Sequence, residues 1–227
     1  MDYRQLLIAS NPFDRLDAWF KTKWILDNNV LTKEDLIGLK EKFLELLNDS
    51  DETVRLHAWQ QTPFLLENGI IDYSDIDKYK TNLILSLKDG SLEAWLLVND
   101  LYLGKIITKE DVDNVINTFI SMLKGNELDR IAVWSLVPNM LKNSLISAEI
   151  IMDLKKYVLD LLDFDDYNIQ FNVLFLIVDL YRSKVITRDE IQSRVDKIKE
   201  IMSDERFNEF LRLYEKNSRD LDELIIM

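Results

Sequence analysis

Apolar and polar positions along this chain follow one pattern that recurs about every 40 residues. In five places an apolar pair is followed by a small residue that carries an oxygen atom. The second members of these pairs stand at successive offsets of 40, 36, 39 and 40 residues. Such a period indicates a repeat architecture. The five segments are Val30-Leu31-Thr32, Ile70-Ile71-Asp72, Ile106-Ile107-Thr108, Leu145-Ile146-Ser147 and Val185-Ile186-Thr187.

The third residue of each segment is of a type that caps helix N-termini. Its side-chain oxygen can accept a hydrogen bond from a backbone N–H that the first helical turn leaves unpaired. Only Glu190 then meets the strict capping-box rule, which requires Glu or Gln three residues after the cap. The aspartates at this place in other copies suit the positive end of a helix. The pattern therefore predicts five helix starts.

A second marker has the same period. Twelve residues before the second member of each apolar pair stands a large apolar side chain, and another apolar residue precedes it by three. This spacing predicts one face of a helix. We interpret the row as core between helices; the alternative is an aromatic groove for a ligand or for nucleic-acid bases. The row consists of Trp19, Trp59, Trp95, Trp134 and Leu174.

Another amphipathic stretch lies between each cap and the next member of the tryptophan row, so every repeat is predicted to hold two helices of about four turns. The chain has only 5 Gly and 3 Pro, which favours long helices. We therefore predict an all-α protein with a single domain over 1–227. Its six helix pairs are expected at about 2–28, 32–68, 72–104, 108–143, 147–183 and 187–218.

Asp49, Val54 and Arg55 stand as they do in the HEAT repeat, which the chain resembles. The resemblance implies a right-handed α-α superhelix, with the second helix of each pair on the concave side. It also implies a ladder of Asp–Arg pairs between repeats; a carboxylate-binding stripe that includes Arg55 and Arg130 is the alternative. Pro63 and Pro138 depart from the family pattern because they fall inside second helices, where proline is expected to cause kinks.

One row of residues suggests a binding groove on the concave side that the resemblance implies. It lies five residues after the tryptophan row and changes from aromatic to polar along the chain. A peptide with apolar and basic parts would suit such a seat. The simpler interpretation, which we prefer at this point, is that each is an ordinary surface or half-buried residue. The row consists of Trp24, Phe64, Asp100, Asn139 and Asp179.

The composition offers little material for catalysis or for binding a metal. The chain has no Cys, and its one His, His57, is expected to be exposed because it is turned away from the tryptophan face. No P-loop or dinucleotide fingerprint occurs. We therefore predict no catalytic residues, no metal site and no cofactor, and we expect that the protein is not an enzyme.

The net charge of −13 comes from 28 basic and 41 acidic residues. It argues against a nucleic-acid partner, because such binding depends on neutralising phosphates. We interpret the charge as a means of solubility, with attraction to a basic partner as the alternative. The first residues lack a basic leader, and the longest apolar run, 173–178, is far shorter than the roughly 20 residues of a membrane span. We expect a soluble cytoplasmic protein with no membrane partner.

The leading hypothesis is a non-enzymatic scaffold that presents a curved surface to a protein or peptide partner, since solenoids use such surfaces. One alternative is a nucleic-acid enzyme similar to the HEAT-like alkylpurine DNA glycosylases, which the acidic charge disfavours. Another alternative is a structural subunit of a larger assembly.

Overall fold

The computed structural model describes residues 2–164 and 166–194, and the regular structure within these ranges is helical, without strands. This confirms the all-α prediction. The chain divides into two compact units, Met1–Val115 and Ile116–Met227. The single domain over 1–227 stays a prediction. The second helix expected for the last pair, at about 204–218, lies outside the described residues.

The described helices follow the predicted pairs, but most first helices are made of shorter segments. Tight 3-10 turns join or extend them at Glu45–Asn48, Asp77–Tyr79 and Asp160–Asp163. Unit 1 contains α1 Tyr3–Leu7, α2 Pro12–Phe20, α3 Thr22–Asp27, α4 Lys33–Leu44, α5 Glu52–Glu67, α6 Tyr73–Ile76, α7 Lys80–Lys88, α8 Leu92–Leu103 and α9 Lys109–Asp113. Unit 2 contains α10 Ile116–Met122, α11 Glu127–Lys142, α12 Ala148–Leu154, α13 Lys156–Leu159, α14 Tyr167–Arg182 and α15 Arg188–Gln192.

The second helices of the repeats are α2 with α3, then α5, α8, α11 and α14. Only Lys21 separates α2 from α3. As the sequence predicts, Pro63 lies inside α5 and Pro138 inside α11. Whereas α5, α11 and α14 each have 16 residues, α8 has 12. This helix begins about one turn later than the others, since an α-helix has about 3.6 residues per turn.

All five predicted helix starts are confirmed, and their caps are stronger than expected. Each cap side chain accepts the amide N–H three residues on. The expectation that only Glu190 completes a capping box was wrong. In three other copies the shorter aspartate also reaches back to the N–H of the cap residue, at 2.7–3.0 Å. These aspartates are Asp35, Asp75 and Asp111.

The second helices end in a common way, which explains the apolar pair. One residue shortly after each second helix has a positive φ, and these five values lie between 52° and 61°. At Gly69, for example, the amide N–H donates to the carbonyl of Leu66, and the next amide, of Ile70, donates to the carbonyl of Leu65. This is the Schellman motif, which commonly has an apolar residue just after the left-handed one. The five residues are Asn29, Gly69, Lys105, Ser144 and Lys184.

The tryptophan row forms core, as we interpreted it. Trp19, Trp59, Trp95 and Trp134 are all at most 1% exposed. Three of them donate their indole N–H to a backbone carbonyl at the end of the first helix. The pairs are Trp19 with Leu7, Trp95 with Leu87 and Trp134 with Leu123, at 3.0–3.2 Å. The indole nitrogen of Trp59 is buried without a hydrogen-bond partner among the described residues.

Ion pairs connect the first helices of successive repeats within each unit. Lys40 pairs with Asp75 at 2.6 Å, Lys80 with Asp111 at 2.5 Å, and Lys155 with Glu190 at 2.8 Å. Each carboxylate is the capping-box residue of its helix, so one side chain both caps its own helix and holds the neighbouring repeat. At the equivalent positions of the remaining repeat, both partners are isoleucine, Ile116 and Ile150, and both are half-buried.

These ion pairs predict a loss of stability in acid. Burial raises the pKa of Asp111, but hydrogen bonds with Lys80 and Thr108 outweigh burial and hold this pKa below its ordinary 3.8. A carboxyl whose pKa is lowered by folding stabilises the fold above its ordinary pKa, and this contribution is lost as the pH falls through the lowered value. We expect the free energy of unfolding to fall below about pH 5, and to fall less in Lys80→Met.

Urea denaturation at about pH 6 and about pH 3 measures this difference. Lys109→Met is the matched control, because the Lys109–Asp113 pair lies within α9 and both side chains are about half exposed. If acid lowered the free energy of unfolding of Lys80→Met as much as that of the unmodified protein, the pair with Lys80 would not lower the pKa of Asp111.

Candidate binding surface

The structure places the predicted groove residues on second helices, where solvent reaches them. In unit 1, Trp24 lies on α3 and is 48% exposed, Phe64 on α5 is half-buried, and Asp100 on α8 is exposed. In unit 2, Asn139 on α11 and Asp179 on α14 are exposed. The peptide seat requires accessible residues, and the seat itself stays a prediction.

Three second helices of unit 1 are neighbours, since α2 packs against α5 and α5 against α8. The amide group of Gln61 on α5 donates to the carbonyl of Trp19 on α2, at 3.2 Å. The ring of His57 meets the edge of Phe20, with centroids 6.3 Å apart. His57 is exposed, as the sequence predicts. Both side-chain contacts join α2 to α5, and α8 packs against α5 as well.

Apolar side chains are exposed on the outer face of these helices. Four positions per repeat are compared: two residues before the buried tryptophan, and one, five and eight after it. On α5 and α8 this is the spacing of one helical face, and in the first repeat the last two positions lie on α3. Sequence reasoning singled out Trp24 and Phe64 but missed their neighbours. Phe20, Leu96 and Leu103 are 38%, 45% and 60% exposed. We call Phe20, Trp24, Phe64, Leu96 and Leu103 the apolar face of unit 1.

The same positions are acidic wherever they are charged. In the three repeats of unit 1 they hold five carboxylates and no Lys or Arg. All five carboxylates are exposed. Lys21, one helical turn from Asp17, pairs with it at 2.5 Å. The apolar face is therefore set among negative charges, which are Asp17, Asp27, Glu67, Glu93 and Asp100.

The corresponding face of α11 and α14 in unit 2 has a different character. Phe175 is 53% exposed there, but Ser135 takes the place of an apolar residue. Lys142 and Arg182 contribute positive charge, and Arg182 pairs with Asp179 at 3.1 Å. The combination of exposed apolar side chains with unbalanced negative charge thus belongs to unit 1.

Three arginines four residues before the tryptophan row donate to backbone carbonyls, and we call Arg15, Arg55 and Arg130 the arginine row. Arg55 donates to the carbonyls of Asp49 and Ser50 at 2.7 and 3.1 Å. Arg130 donates to the carbonyl of Gly125 through two nitrogens and to that of Tyr157 through the third, at 2.8–3.1 Å. The bonds to Asp49, Ser50 and Gly125 close the turn between the two helices of a repeat, and the bond to Tyr157 reaches the next repeat. Both kinds of bond favour a structural role.

The Asp–Arg ladder expected for this row is not formed by the described residues. Arg15 instead pairs with Glu45 at 3.4 Å, and Arg130 approaches Glu127 at 4.0 Å. In the fifth copy Gln170 replaces arginine and donates to the carbonyls of Leu162 and Phe164. The position therefore requires a donor to the turn carbonyls, which an amide can also supply. Carboxylate binding by Arg55 and Arg130 stays a prediction.

Within residues 2–164 and 166–194, no group of three or more His, Asp or Glu side chains is arranged to hold a metal ion. Across the same residues, no helix combines the length and the apolar character that crossing a membrane requires.

The chain is similar to a protein of Acidianus ambivalens described as "Uncharacterized protein in sor 5'region". The two are 45% identical over 225 residues, which are 99% of this chain and 96% of the relative. No family model matches the chain.

Proposed function

The chain belongs to the same family as the Acidianus ambivalens protein, and we propose that it is a non-enzymatic scaffold that binds a protein or peptide segment. Its repeated pairs would stack as a right-handed HEAT-like superhelix with a curved surface. Support comes from the N-caps, Schellman ends, buried tryptophans and lysine–carboxylate pairs, which recur in register from repeat to repeat. Repeat proteins are held together by such nearest-neighbour contacts.

The proposed partner segment combines basic and apolar side chains, and it binds unit 1. The observation that carries this proposal is the apolar face with its five carboxylates. Contiguous exposed apolar surface rimmed by polar residues is typical of interaction sites. The charges would speed the encounter with a basic segment and disfavour acidic ones.

A scaffold without catalysis is also consistent with the surroundings of the one histidine. His57 is exposed, and its Nδ1 atom lies 2.8 Å from the carbonyl oxygen of Thr53 on the same helix. A general base requires a partner group that orients it toward a substrate. The backbone contact of His57 is a local helix contact of an ordinary surface residue.

Selection from a random library of peptides about 12 residues long would test the proposal. We expect the selected peptides to be rich in Lys or Arg together with Leu, Phe or Trp. Their affinity for the double variant Leu96→Ser/Leu103→Ser should fall by about tenfold or more, equivalent to about 1.4 kcal/mol. Both leucines are well exposed, so the fold should tolerate the change.

Leu128→Ser is the matched control, because Leu128 is 69% exposed on α11 and lies outside the apolar face. Affinity for this control should match that of the unmodified protein. Selected peptides without basic residues, or equal binding to the double variant, would refute the apolar face as the binding surface. Strong binding of duplex DNA at low salt would favour the nucleic-acid alternative instead.

A further inference from the structure

The late start of α8 coincides with a cavity in unit 1. In other copies the N-cap precedes the buried tryptophan by eight residues, as Asp51 precedes Trp59, but Ser91 precedes Trp95 by only four. The missing turn also removes the position for a turn-closing arginine, since Ser91 now stands there as the cap. A cavity of about 570 Å³ lies between this turn and the start of α5.

A second difference between copies lies in the same cavity. Ser86, on α7, occupies the place that Leu46 and Leu161 hold in other copies, where both leucines are 0% exposed. Ser86 lines the cavity and is only 6% exposed. Its hydroxyl forms no hydrogen bond with the described residues, although a helical serine commonly bonds the carbonyl four residues back. A ligand in the cavity would find this hydroxyl free to accept or donate a hydrogen bond.

The charged groups around the cavity favour a cation. Asp49, Glu52 and Asp89 line it, and the one opposing charge belongs to Arg55. Arg55 already donates to the carbonyls of Asp49 and Ser50. The lining therefore carries an excess of negative charge. Leu85, which is 48% exposed, adds an apolar wall.

We propose that this cavity binds a primary alkylammonium group, either of a lysine side chain or of a free diamine. Glu52 and Asp89 supply the opposing charge, the Ser86 hydroxyl accepts a hydrogen bond from the ammonium group, and Leu85 contacts the alkyl chain. The inference rests on the missing turn and on Ser86. It does not depend on the apolar face, so either site can exist without the other.

The proposal can be tested by adding cadaverine, and separately Nα-acetyl-lysine amide, to the full chain and following its amide chemical shifts by NMR. We expect at least one of them to shift the amides of Ser86, Gly90 and Ser91. Cadaverine alone would identify a small-molecule site, and acetyl-lysine amide a site for a peptide side chain. The neutral 1,5-pentanediol should shift none of these amides. Failure of both amines, or an equal response to the diol, would overturn the proposal.

Two variants test whether the lining residues of the cavity bind the amine. Ser86→Leu restores the side chain of other copies, and we expect it to abolish binding. Glu52→Gln/Asp89→Asn should weaken binding by about tenfold or more. Glu110→Gln, a matched change in the first turn of α9, should leave it unchanged. If Ser86→Leu fails to fold, the proposal is tested by Glu52→Gln/Asp89→Asn. Undiminished binding in Glu52→Gln/Asp89→Asn would overturn the proposal.

Discussion

Replacing Trp95 with alanine is expected to lower the free energy of unfolding by about 3–5 kcal/mol, the range for large aromatic side chains removed from cores. Trp95 is 0% exposed, and its indole N–H donates to the carbonyl of Leu87 at 3.0 Å. The substitution would leave a cavity and an unpaired carbonyl. Urea denaturation followed by circular dichroism measures the change.

Trp24→Ala is the matched control, because this tryptophan is 48% exposed. Its ring lies against that of Tyr3, with the two centroids 5.4 Å apart. It should cost less than about 1 kcal/mol. A Trp95→Ala protein of unchanged stability that had lost peptide binding would restore the alternative in which the tryptophan row lines a ligand groove.

Replacement by phenylalanine should lower the free energy of unfolding by different amounts at Trp95 and at Trp59. Trp95→Phe removes a formed hydrogen bond, whereas Trp59→Phe removes an indole nitrogen that has no partner among the described residues. Removing one partner of a buried bond leaves the other unsatisfied, but removing an unpaired group relieves a penalty. The same denaturation series should therefore show the smaller loss at Trp59, and equal losses would contradict this account.

Arg130→Ala is expected to lower the free energy of unfolding by about 2–3 kcal/mol, because it removes charge-assisted hydrogen bonds and leaves carbonyls without donors. Arg130 bonds the carbonyl of Gly125 in its own repeat and that of Tyr157 in the next. Arg130→Gln should lose less, since Gln170 serves the equivalent turn in the following repeat. Thermal and urea unfolding would measure both variants.

Arg182→Gln provides the comparison, because Arg182 is about half exposed and pairs with Asp179 on the surface of α14. We expect a change within about 0.5 kcal/mol there. If Arg130→Ala cost no more than Arg182→Gln, the arginine row would not hold the turns, and its alternative role as a carboxylate-binding stripe would gain weight.

Pattern reasoning located the helix starts and the tryptophan core well because both markers depend on local physics. Thr32 and Thr187 can be recognised as caps from their own chemistry and from the apolar residues before them. Trp19 and Trp134 can be assigned to the core because their spacing defines a helix face. The reciprocal bonds of Asp35 and Asp111 were missed because the capping-box rule admits only Glu and Gln, although an aspartate also reaches the N–H of the cap.

The candidate site was predicted only in part. Trp24 and Phe64 were found through their register, whereas Leu96 and Leu103 were not, although both are apolar at positions of the same outer face. Their exposure is what distinguishes them from core leucines, and exposure depends on which faces neighbouring helices cover. The offset of 36 showed that the repeat with Trp95 is about four residues shorter than the others. It did not show that a cavity accompanies this shortening.

The sequence by itself therefore determined the helical class, the helix starts and the tryptophan core, because caps and helix faces depend on residues a few positions apart. The tertiary structure decided which charges meet. Lys80 and Asp111 are 31 residues apart, and many exposed lysines could have been the partner. It also decided that arginine closes turns, and that Ser86 and the shortened α8 line a cavity. These features arise from packing between helices distant along the chain, which local pattern does not encode.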